Sequence, residues 1–148
     1  MHFYFFVAIY YSEEQKVRCP MDIQKQVIRV YPFAYHKIIG GQRKIDIRPY
    51  VPTLHNLKVG DMIEYVNVET NTSVMREIKG IATFADFDTL IKMLSPELIG
   101  YDTREEVKLR VERMYSPSEQ AENGVCALFI DEPNVKRMMK LSSLSRVA

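Results

Sequence analysis

The pattern of apolar and polar positions divides the chain into short elements. In "QVIRVY" (Gln26 to Tyr31) the two kinds of residue alternate, which predicts a strand. "PFAYHKIIGG" follows, with Pro32 suited to a first helical turn and Gly40 to a C-terminal cap, so a short helix is expected. "RKIDIR" is the next strand, with Ile45 and Ile47 on one face and Lys44, Asp46 and Arg48 on the other. "LKVGDMIEYVNV" begins with a Gly60-Asp61 turn, in which the glycine supplies a positive φ, and continues as a strand. After the turn signal Glu69 to Thr72, "TSVMREIKGIATF" completes a hairpin.

The period then changes. Phe87, Leu90, Ile91 and Leu94 share one helical face, ended by Ser95-Pro96. Thr103 and Glu106 form a capping box for a helix that lines up Val107, Val111 and Met114. "SPSEQAENG" is expected as a loop, "VCALFI" as a buried strand and "NVKRMMK" as a last short helix. Strands with helices inserted between them predict an α+β fold, its mostly antiparallel sheet curled into a small barrel.

Size and composition fit one domain. The 148 residues are 47% apolar and 26% charged, the ordinary globular mixture. A net charge of +1 gives no general case for nucleic acid. The charge is unevenly spread, however: from Lys16 to Arg48 eight basic residues face only Asp22 and Asp46. The two cysteines, Cys19 and Cys126, make no framework, and Cys126 reads as an inert buried thiol. His2, His36 and His55 are isolated, so neither a metal site nor a cofactor is called for. The opening "MHFYFFVAIYY" lacks a basic n-region and falls short of the ~20 apolar residues of a membrane span. Residues 1–20 are expected to be an appendage, either an extra edge strand or an upstream start, before a domain over 21–132 and a basic tail over 133–148. A cytoplasmic setting is expected, since nothing asks for an oxidising compartment.

The chemistry concentrates in "GGQRKIDIRPY". Gly41, Arg43, Asp46 and Arg48 meet the pattern G-x-[KR]-x-x-[DE]-x-R, and a "LKVGDMIEY" turn and strand follows. With the closing "GVCALFI" strand, this arrangement resembles the ASCH domain, a PUA-like β-barrel family, over about Gln24 to Asp131. It is most similar to the small stand-alone bacterial and archaeal type. The resemblance implies a cleft lined by Arg43, Asp46 and Arg48 that binds RNA or a nucleotide, with Lys44 at a position the motif leaves free. Strict alternation puts Arg43 on the opposite face from Asp46 and Arg48, so Arg43 is expected to belong to the turn before the strand. The guanidinium forks suit phosphate or carboxylate, and Asp46 between them orders both and accepts from a base amino group. Tyr50 and Tyr115 are candidates for stacking on a base. The competing reading is a structural ion-pair network that closes the barrel, although exposed pairs contribute only ~0–1 kcal/mol.

One branch of that family hydrolyses N4-acetylcytidine, which makes a hydrolase of a modified nucleoside or of RNA the alternative. The resemblance puts Arg43 where that branch has its lysine and Asp46 where it has its threonine. Arginine is no general base, and Asp46, ionised between two guanidinium groups, is a weak one. Asp46 is still the one catalytic candidate, with Glu97 the nearest match to a later glutamate and His36 or His55 the bases that RNA cleavage would need. The expectation is a binding module for RNA or a nucleotide, in which Arg48→Ala weakens binding without unfolding the barrel. A protein-docking role for the apolar N-terminus and basic tail is the third possibility.

Overall fold

The computed structural model describes residues 23–134. The expected N-terminal appendage, Cys19, His2, the last short helix and the tail from residue 135 onward lie outside the described residues. Five strands form one sheet: β1 (Lys25–Val30), β2 (Ile45–Pro49), β3 (Met62–Asn67), β4 (Ser73–Phe84) and β5 (Val125–Asp131). Their order is β1-β3-β4-β5-β2. Every pairing is antiparallel except β1 with β3, which run parallel from Lys25 opposite Met62 to Val30 opposite Asn67. Five helices are inserted: α1 (Pro32–Ile39), α2 (Phe87–Met93), α3 (Pro96–Ile99), α4 (Arg104–Met114) and α5 (Pro117–Asn123). A 3₁₀ turn, Pro52–Leu54, follows β2.

The sheet curls into a half-barrel. Three strand spacings separate β3 from β2, about 14 Å if the sheet were flat. The Tyr65 hydroxyl of β3 nevertheless reaches Asp46 of β2 at 2.7 Å. The α+β architecture expected from the sequence is therefore present.

Two apolar clusters cover the two faces. Ile28, Tyr35, Ile38, Ile63, Tyr65 and Leu128 belong to the inner one. Ile45, Phe87, Leu90, Val107, Val111 and Ala127 belong to the outer one, under α2 and α4. Alternation along β5 serves both: Cys126, Leu128 and Ile130 join the inner cluster, Val125 and Ala127 the outer. That is why "VCALFI" is apolar without interruption. Along β2 the same alternation puts Ile45 in the outer cluster and turns Asp46 inward, where it accepts from Tyr65.

Local signals set most boundaries. Asp86 and Thr103 cap α2 and α4, accepting from the Thr89 and Glu106 backbone N–H at 2.8 and 3.2 Å. Gly60 has φ +97°, as the turn requires. Its neighbour Asp61 is fully buried and accepts from the Gln24 and Lys58 backbone N–H groups at 2.9 and 2.8 Å. It thus ties the entry of β1 to the start of β3. One expectation is corrected: the segment "SPSEQAENG" is not a loop but contains α5. Ser116 caps it by accepting from Glu119 N–H at 3.3 Å, and Pro117 fills the first turn, where no intrahelical N–H is needed.

Candidate functional site: an arginine-lined cavity

The end of β1 and the body of β2, the two edge strands, border the same opening. A cavity of about 120 Å³ opens there, between β1, β2, α1 and α4. Arg29, Arg43, Arg48 and Arg110 line it, with Asp46 its one carboxylate among the described residues. Phe33, Tyr101, Met114 and Tyr115 supply apolar and aromatic wall, and Tyr31 stands at the rim. Tyr31 and Phe33 are 67% and 46% exposed beside this opening.

At the floor lies a buried network. Asp46 is 2% exposed and accepts from three donors. They are Tyr65 Oη at 2.7 Å, Arg48 Nε at 3.0 Å and Arg48 Nη2 at 3.4 Å. Burial, and then the adjacent Asp46 charge, push the Tyr65 phenol well above its usual range, so it stays a donor. For Arg48 burial opposes the charge, but the Asp46 charge, the neighbouring Tyr115 and Tyr65 and the Asp46 hydrogen bond together outweigh it and raise the guanidinium. Arg48 itself keeps 19% of its side-chain surface exposed at the cavity. Asp46 thus holds the Arg48 guanidinium, and both line the cavity.

Arg43 enters by a different route. It precedes β2 in irregular chain, after Gly41 at φ +78°, and its backbone N–H donates to Lys37 O at 3.0 Å. The side chain is thereby free of strand alternation and lines the same cavity as Asp46 and Arg48. Its Nε donates to Ile99 O at 3.0 Å and its Nη2 to Tyr101 Oη at 3.3 Å. Lys37 also donates to Gly100 O, so two cations close the C-terminal end of α3. Gly100 has φ +106°, and a Cβ there would come within 3.3 Å of Lys37 Cδ. Lys37 lies 4.7 and 4.5 Å from the ring centres of Phe33 and Tyr101. Desolvation, and then the Arg43 charge, lower its pKa. Arg110 stands 4.4 Å from the Phe33 ring on its own account.

The remaining expected residues divide. Tyr115 lines the cavity, its ring stacked on Phe87 at 5.5 Å and 17°. Burial raises its pKa, with Arg48 opposing. Lys44 does not line the cavity; its Nζ lies 3.7 Å from Asp131 Oδ1 on another part of the surface. Tyr50 also lies elsewhere, its ring 4.4 Å from that of His55, whose Nε2 contacts Tyr50 O at 3.0 Å. Glu97 borders a separate depression with Asp102 and Arg104, and neither His36 nor His55 reaches the cavity. Cys126 is buried, its thiol pushed up to about 12 by desolvation, as an inert core cysteine should be. The sequence reading missed Arg29, Arg110, Tyr31, Phe33 and Tyr101. The exposed aromatics flanking Pro32 were the available signal.

No known family model matches the sequence, and no curated protein does. Solved structures do. The crystal structure of hypothetical protein PH0355 superposes with TM-score 0.65 at 24% identity, over 75% of this chain and 100% of that one. The solution structure of protein PF0455 from Pyrococcus furiosus gives 0.59 at 21%, over 74% and 97%. The crystal structure of ASCH from Zymomonas mobilis gives 0.52 at 14%, over 79% and 78%. The chain accordingly has the fold of a small ASCH-like protein, the PUA-like α+β half-barrel.

Proposed function

We propose that this protein binds RNA or a nucleotide in the arginine-lined cavity. The observation that carries this is an imbalance of charge at one aromatic-walled opening. Four arginines converge on it, while the only carboxylate among its described lining residues already accepts three hydrogen bonds. Such a site attracts an anion and stacks a planar group, the two parts of a nucleotide. The same observation favours binding over hydrolysis, because both Asp46 oxygens are already committed to Tyr65 or Arg48.

Anisotropy titrations with short single-stranded RNA at two salt concentrations test the proposal. Arg29 and Arg110 are suitable probes, since neither belongs to the buried floor network. Arg29→Ala and Arg110→Ala should each weaken binding and lower the salt slope by about 0.7, one phosphate contact on a single strand. Binding that ignores both substitutions contradicts the assignment.

A further inference from the structure

The cavity does not end at Phe33. A second depression of about 210 Å³ adjoins that ring and shares Phe33, Tyr101 and Arg110 with the cavity. Its other borders are Glu106, Leu109 and Arg113, all on α4. Helical spacing puts Glu106, Arg110 and Arg113 on one strip of that helix, with Leu109 beside it. The buried face of the same helix carries Val107 and Val111.

Two features of this strip serve no purpose in the fold, while a third is already committed to it. Leu109 is 55% exposed, although α4 already buries its apolar face through Val107 and Val111. Arg113 forms no hydrogen bond or ion pair among the described residues. Glu106, the depression's carboxylate, sits opposite the Thr103 hydroxyl, which donates to it at 3.5 Å, and its backbone takes the Thr103 cap. An apolar platform, an uncommitted guanidinium and a ring accessible at its edge thus continue directly from the cationic cavity.

Resting on the reading of the cavity as a nucleotide site, we infer that Phe33, Leu109, Arg110 and Arg113 form a second nucleotide subsite. The ligand is then a single-stranded segment of at least two nucleotides rather than a free nucleotide. One base enters the cavity, and its neighbour lies across Leu109, beside the exposed edge of Phe33. The linking phosphate passes Arg110, the cation common to both depressions, and the next phosphate meets Arg113. A splayed, unpaired strand fits such a track, whereas the paired bases of a duplex would not separate to straddle Phe33.

The test is a length ladder: mononucleotide, dinucleotide and tetranucleotide RNA in each of the four bases, titrated by NMR against the full chain and a Leu109→Ser/Arg113→Ala variant. Both substituted side chains are at the surface, so the variant should fold as the parent does. For the parent, affinity should rise about tenfold or more from mononucleotide to dinucleotide, the scale of one added stacked base. The variant should bind mononucleotides like the parent and lose that gain. Equal affinity along the ladder, or a gain the variant keeps, overturns the second subsite and leaves the cavity assignment standing. No binding at any length overturns both.

Discussion

Tyr65 and Asp46 sit three strands apart in the sheet, yet a 2.7 Å hydrogen bond joins them across its curled interior. That bond, with the two from Arg48, makes the charged residues of β2 a structural element as well as the floor of a cavity. The ion-pair network that the sequence set against a ligand site thus also floors the cavity proposed as that site.

Removing the Tyr65 hydroxyl takes a donor from a buried carboxylate. Tyr65→Phe is expected to cost about 1.5–3 kcal/mol in denaturant unfolding. Asp46→Asn leaves Arg48 without its counter-charge, and about 2–4 kcal/mol is expected because Arg48 keeps some contact with water. The double variant should lose less than the sum, by about 1 kcal/mol, since one bond is common to both. Simple additivity would show that the two residues do not act together.

Arg48→Ala is a poorer probe of binding than the sequence suggested. It strips Asp46 of two of its three donors, so a stability loss of about 3 kcal/mol should accompany any loss of binding. Arg29→Ala should leave the unfolding midpoint within about 0.5 kcal/mol of the parent, because its one side-chain hydrogen-bond partner among the described residues is the exposed Asn71. A parent-like midpoint for Arg48→Ala would mean that the floor network contributes little.

Burial raises the Cys126 thiol to about 12, from an ordinary 9 in the unfolded chain. The folded state therefore holds this proton where the unfolded state releases it. Its contribution to stability is intact below pH 9 and declines as the pH rises from 9 toward 12. Cys126→Ala removes that decline, so the parent should lose stability relative to the variant over this range. In a Cys19→Ser background, Cys126 should also resist a thiol reagent at pH 8 until the protein unfolds.

Asp61 offers a test of the strand junction. It accepts from two backbone N–H groups 34 residues apart in sequence, those of Gln24 and Lys58. Asp61→Ala should cost about 2–4 kcal/mol by stranding donors in the interior, and hydrogen exchange should show the start of β1 opening first. Unchanged protection at the start of β1 would contradict this role.

What the sequence disclosed follows from the range of each signal. Alternation in β2 and the continuous apolar run of β5 are local, and both led to the observed elements. The α5 cap was equally local: Ser116, Pro117 and Glu119 carry an N-terminal signature that the surrounding polar residues obscured. Lys44 was grouped with Asp46 by extending the strand one residue too far, into chain that Gly41 had already turned. The parallel β1–β3 pairing and the meeting of Arg29, Phe33, Tyr101 and Arg110 depend on how distant segments pack. No local pattern encodes that convergence, so of the aromatic wall only Tyr115 was expected.

The most direct measurement is a map of the arginine side chains in solution. Nε–Hε resonances of Arg29, Arg43, Arg48 and Arg110 would be followed by NMR while single-stranded RNA is added. The cavity account predicts that these four shift together, at one affinity that weakens with salt. Shifts confined to other arginines, such as Arg76 or Arg104, or no shifts at all, would contradict it.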